Sequence, residues 1–74
     1  MVRRRGRDQH EVRVGSRRYV VFTEMMVTGP FDFVVDRDSV REVGTDMPPQ
    51  TDREEVLRHL CRYFELNRYR YDFY

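Results

Sequence analysis

At 74 residues the chain has room for one domain, and a chain of that size buries only about 60% of its unfolded surface. A single cysteine, Cys61, excludes an intrachain disulfide and leaves a four-ligand zinc site without its partners. All 14 strongly basic side chains are arginine and none is lysine, which excludes Schiff-base chemistry and favours planar, bidentate contacts with carboxylate or phosphate.

No apolar run approaches the roughly 18 residues that span a membrane. The basic N-terminus lacks the apolar stretch of a signal peptide. The expectation is therefore a soluble protein, cytoplasmic or otherwise intracellular. Net charge is +1 but unevenly spread. Residues 1–18 carry seven arginines against Asp8 and Glu11, a local charge of +5, whereas residues 19–74 sum to −4. A basic arm before a mildly acidic body is a pattern that suits an acidic partner.

In chain order, residues 1–9 show no apolar period and read as a flexible basic arm, with residues 10–74 as a single α+β domain. His10–Val14 alternates, and Gly15-Ser16 is a two-residue hairpin signal of the Gly-first type. Arg17–Val27 is rich in β-branched and aromatic residues and predicts a strand. Both of its faces are apolar, which predicts the central, most buried strand. Gly29-Pro30 breaks that run. Phe31–Asp36 alternates again, Asp36–Ser39 is a polar turn, and Val40–Val43 is short enough for a fourth strand. The short connections predict an antiparallel meander.

Residues 45–50 read as a loop. Thr51, three residues before Glu54, has capping-box spacing. Asp52, Glu54 and Glu55 complement the helix dipole in the first turn. Leu57, Leu60, Cys61 and Phe64 form one apolar stripe, Glu54 and Arg58 have ion-pair spacing, and Asn67 is a left-handed stop. In the last seven residues Tyr69, Tyr71 and Phe73 alternate with Arg68, Arg70 and Asp72, which predicts a final strand. The expected fold class is α+β: a small antiparallel β-sheet of four or five strands, in the order β-β-β-β-α-β, packed against one C-terminal amphipathic helix.

Little here carries catalysis. His59 and Cys61, two apart on a helix, point about 200° from each other and cannot converge. Asp36 and Asp38 have the spacing that opens a calcium loop, but Val40 stands where a third oxygen ligand belongs. No phosphate-cradling glycine loop is present. Neither a cofactor nor a metal is expected, and the protein is not expected to be an enzyme.

Two segments suit binding. Arg3, Arg4, Arg5 and Arg7 on an arm can neutralise phosphates. Arg68, Tyr69, Arg70 and Tyr71 interleave cations with rings, as base-stacking surfaces and protein hot spots both do. A plainer account makes Tyr69, Tyr71 and Phe73 the core face of an edge strand. Short pieces also resemble elongin C, an adaptor of the BTB fold: His10-Glu11, Met26 followed by Gly29-Pro30-Phe31, then Val56-Leu57, Cys61 and Tyr63-Phe64. Leu57–Cys61 resembles the elongin-binding box of SOCS-box proteins, with Glu65 where that box has an apolar residue. Both resemblances imply a protein adaptor. Arg17–Val27, however, reads as strand where the first family has a helix, and no family is assigned. The expected function is a small non-enzymatic protein-interaction module, a regulator or inhibitor docking on a larger machine. The alternative is a nucleic-acid binder that uses the arm and the Arg-Tyr strand. A homodimer is a further option.

Overall fold

The computed structural model describes residues 1–44 and 53–74. The expected loop at 45–50 and the capping box of Thr51, with Asp52, lie outside the described residues. In order, the elements are β1 (Val2–Arg4), β2 (Gln9–Val14), β3 (Arg17–Met25), β4 (Phe33–Val35), a 3-10 turn (Arg37–Ser39), β5 (Arg41–Glu42), α1 (Arg53–Leu66) and β6 (Tyr71–Phe73). The sheet runs β1-β2-β3-β4-β6, and β5 lies against β3 beyond the end of β4. This is an α+β fold, with one α-helix and a mixed sheet among the described residues.

The β2–β3 hairpin forms where the turn residues demand it. Val14 pairs with Arg17, so Gly15-Ser16 is a two-residue loop. Gly15 has φ +62° while Ser16 keeps a negative φ, the signature of a type II′ turn, whose twist matches that of the flanking strands. Asp36 caps the 3-10 turn through Oδ1, which accepts from the Asp38 amide at 3.1 Å. Its carboxylate thus serves the backbone.

Two expectations need correction. The N-terminal arm is not free chain: Val2, Arg3 and Arg4 pair antiparallel with Val12, Glu11 and His10. With a single apolar residue, Val2, this strand has no alternation of its own to betray it. The sheet is not wholly antiparallel, because β6 runs parallel to β4, with Phe33 beside Tyr71 and Val35 beside Phe73. Only the helix-bearing connection between β4 and β6 is long enough for such a crossover. β3 is the central strand, as expected, with Tyr19, Val21 and Thr23 buried on one face and Phe22 46% exposed on the other. A single helix covers a single face. β3 is also the strand that its composition predicts, not the helix that the elongin C resemblance would place there.

The core joins Val12, Tyr19, Val21, Phe33, Val35 and Val40 to the helix stripe of Val56, Leu57, Leu60 and Phe64. Phe64 stacks on Phe33, with centroids 5.0 Å apart and planes 15° apart. The helix stops one residue later than Asn67 suggests. Tyr69 N donates to Phe64 O at 2.8 Å and Arg68 N to Glu65 O at 3.1 Å, the paired bonds of a Schellman motif. Arg68 takes the left-handed position, φ 60°. Asn67 serves instead through its side chain, whose Nδ2 donates to Tyr63 O at 2.8 Å.

A non-glycine side chain in the left-handed region costs about 1 kcal/mol. Arg68→Gly is therefore expected to raise stability by about 0.5–1 kcal/mol, less than the full cost because glycine loses more backbone entropy on folding. A higher urea midpoint with an unchanged m-value is the measurement that checks it.

Candidate functional site

The register sorts the residues singled out in the sequence onto two faces. Val2, Arg4, His10, Val12, Tyr19, Val21, Thr23, Met25, Phe33, Val35, Tyr71 and Phe73 share the face that α1 covers. Arg3 and Glu11 lie on the other face, where Glu11 is buried and held by Arg3 at 3.5 Å and Arg5 at 3.8 Å. Two of the arm's cations are thereby spent on a carboxylate of the same chain. Arg7 is exposed in the β1–β2 turn.

Arg4 is different. It lines a pocket of about 280 Å³ with Met25, Met26, Asp32, Phe33 and Tyr69. Tyr69 comes from the segment after α1, so the arm and the Arg-Tyr run, remote in sequence, meet at one end of the sheet. Arg70 closes the flank. Asp32 Oδ2 accepts from Arg70 N at 2.7 Å and faces Arg70 Nε at 3.6 Å. The Arg70 amide, with the guanidinium beside it, holds the Asp32 carboxyl below the usual carboxylate range. Asp32 N and Phe33 N both donate back to Arg70 O, at 2.8 and 3.1 Å. Asp32 is therefore committed, and Arg4 is the pocket's cation without an ion-pair partner among the described residues.

Of the remaining sequence-predicted residues, Tyr71 is half-buried and its hydroxyl donates to Glu65 Oε2 at 2.7 Å, a bond that pushes its ionisation upward. Arg68 is exposed at the helix stop. The pocket adds Met25, Met26, Asp32 and Phe33 to the residues expected from sequence. The signal available for them was the apolar content on both sides of the Gly29-Pro30 break.

Beneath the pocket lies His10, 1% exposed. Its Nδ1 is 2.7 Å from Thr23 Oγ1, and Nε2 is buried with no hydrogen-bond partner among the described residues. The ring meets Phe33 and Phe64 edge-to-face at 5.1 and 5.2 Å. We assign the proton to Nε2, where it abuts aromatic rings, with Nδ1 accepting from the threonine hydroxyl. Burial, with help from Arg4, pushes the imidazole down to about 4, so it is neutral at pH 7.

A second groove of about 280 Å³ is lined by Arg37, Glu54, Leu57, Arg58, Cys61 and Phe73. Arg37 lies over the Phe73 ring at 4.8 Å, and no ion pair joins Glu54 to Arg58. Burial pushes the Cys61 thiol up, away from the reactive thiolate. His59 is exposed on the helix and makes no common site with it.

No protein-family profile, curated protein or solved structure matches this chain. No helix among the described residues is long and apolar enough to cross a membrane.

His10 gives the fold an acid dependence of fixed sign. Its pKa is about 4 folded, against 6.5 as a free side chain. Between those values the unfolded chain takes up a proton that the folded one refuses. The stabilisation is complete above pH 6.5 and is lost as pH falls towards 4. From pH 7 to pH 5 the wild type is expected to lose about 2 kcal/mol in urea unfolding. His10→Gln, which does not titrate, is expected to show little change over the same range.

Proposed function

We propose that the chain is a small non-enzymatic protein-interaction module that docks on a larger protein through the pocket between Arg4 and Tyr69. The supporting observation is the pocket's make-up. Met25 and Phe33 form an apolar interior, Met26 and Tyr69 stand exposed at 37% and 40%, and Arg4 supplies an unpaired cation. Exposed Val27 and Phe31 lie close by in sequence and add to the apolar surface. Methionine and aromatic side chains adapt to an inserted apolar group, and tyrosine and arginine dominate interface hot spots. The partner this chemistry recognises is a protein segment that presents an apolar side chain next to a carboxylate. The apolar group fills the pocket and the carboxylate takes a bidentate contact from Arg4.

β3 has neighbours along both edges, so it does not pair with a partner's strand. Sheet extension is thereby left to outer strands such as β1 and β6, and the pocket itself engages a partner through side chains.

Random peptides displayed on phage and selected against the wild type are expected to converge on an apolar residue adjacent to Asp or Glu. The selected peptides should lose at least tenfold affinity for Arg4→Glu and for Met26→Asp, by fluorescence polarisation. Binders without an acidic residue, or binders indifferent to both variants, would refute the assignment.

A further inference from the structure

Apart from the 3-10 turn that brings Ser39 to its edge, no described helix or strand covers the face of the sheet opposite α1, and three observations bear on what it is for. The first is charge. Arg13 and Arg18 are directly opposite each other across the β2–β3 ladder. Like charges placed so are destabilising. Arg41, opposite Val20 on β5, adds a third guanidinium to the same face. All three are exposed, and none has an ion-pair partner among the described residues.

The second observation concerns the face's carboxylates. Glu11 is already held by Arg3 and Arg5. Glu24 and Asp72 flank Val34 at the far end of the sheet. Glu24 lies about 20 Å along the strand from Arg18, at ~3.3 Å per residue. Asp36, whose amide donates to Phe22 O at 3.0 Å, uses its carboxylate to cap the Asp38 amide, so among the described residues no carboxylate is ion-paired with Arg13, Arg18 or Arg41.

The third is an aromatic ring where burial does not explain it. Phe22 projects from the centre of β3 on this face and is 46% exposed. It is paired with Gln9 and borders a groove of about 190 Å³ lined by Gln9, Val20, Phe22, Ser39 and Arg41. The Ser39 hydroxyl is committed: it donates to Asp36 O at 2.6 Å and accepts from Phe22 N at 2.7 Å. The Gln9 amide and the Arg41 guanidinium remain as the groove's polar donors.

We propose that this open face binds single-stranded nucleic acid, one base stacking on Phe22 while Arg13, Arg18 and Arg41 contact the backbone phosphates. Charge complementarity selects a polyanion. The exposed ring beside amide and guanidinium donors selects one with planar bases over a plain acidic peptide. Phosphate between Arg13 and Arg18 also relieves a repulsion that the folded chain otherwise carries. The site is separate from the Arg4–Tyr69 pocket, which lies on the other face, so each stands or falls alone.

The test is fluorescence anisotropy with 5′-labelled dT12 and rU12 on the full chain at 20–200 mM salt. Binding is expected to weaken with salt at a log–log slope near −2, for about three phosphates at roughly −0.7 each. Phe22→Ala is expected to lose at least fivefold at fixed salt, the lower bound for one stacked base. Arg13→Glu with Arg18→Glu is expected to lose more than tenfold and to flatten the slope. Arg18→Ala should melt no lower than the wild type, which separates lost binding from lost folding. No binding at 20 mM salt would overturn the proposal. So would equal affinity for polyglutamate or an abasic oligomer, or a Phe22→Ala variant that binds like the wild type.

Discussion

The packing of Phe64 against Phe33 is the contact on which the remaining architecture depends. It presses the one helix onto the one sheet, and the rings of His10, Tyr63, Tyr69 and Tyr71 gather around it. A domain this small has few large apolar side chains to spend. Concentrating them at one point fixes the helix on the sheet and brings the following segment back towards β4. Tyr69 reaches the pocket because the Schellman turn at Arg68 redirects the chain, and its ring then packs edge-to-face on Phe33 at 5.1 Å. The core and the candidate docking pocket thus share one wall.

His10 makes that wall polar on the inside. It is buried among rings with Thr23 as its hydrogen-bond partner among the described residues, and Arg4 lies directly across the β1–β2 ladder. Neutral imidazole is tolerated there because one nitrogen is satisfied and the other abuts aromatic rings. A charged one is not, because neither solvent nor a carboxylate compensates it. The stability of the domain and the electrostatics of the pocket are therefore linked through a residue that never reaches the surface.

The arginines divide by position rather than by number. Arg3 and Arg5 close over a buried glutamate, Arg70 latches Asp32 at the approach to β6, and Arg53 reaches Asp38 at 3.2 Å. The exposed pairs among these, Arg70–Asp32 and Arg53–Asp38, contribute little each to stability, about 0–1 kcal/mol. Their effect is to leave a different subset unpaired: Arg4 on the helix-covered side, and Arg13, Arg18 and Arg41 on the open side. Arginine throughout, with no lysine, keeps every one of these positions able to grip a carboxylate or phosphate in two places.

Local chemistry was enough to read the elements that carry their own pattern. Gly15-Ser16 dictates its hairpin, the stripe from Val56 to Phe64 dictates an amphipathic helix, and the alternation of Tyr71 and Phe73 dictates a strand. β1 was not legible, because one valine and two arginines become a strand only when Val12 and Glu11 are there to pair with them. The parallel return of β6, the exposure of Phe22 and the meeting of Arg4 with Tyr69 were likewise beyond reach. Each depends on which strand lies beside which, and long-range pairing is set by the packing of the helix on one face rather than by neighbours along the chain. The α+β class and the pattern of its local elements were thus determined by sequence alone. Which of their side chains are paired, which are free and which share a pocket was decided by the tertiary structure, because burial and ion pairing are properties of surfaces brought together.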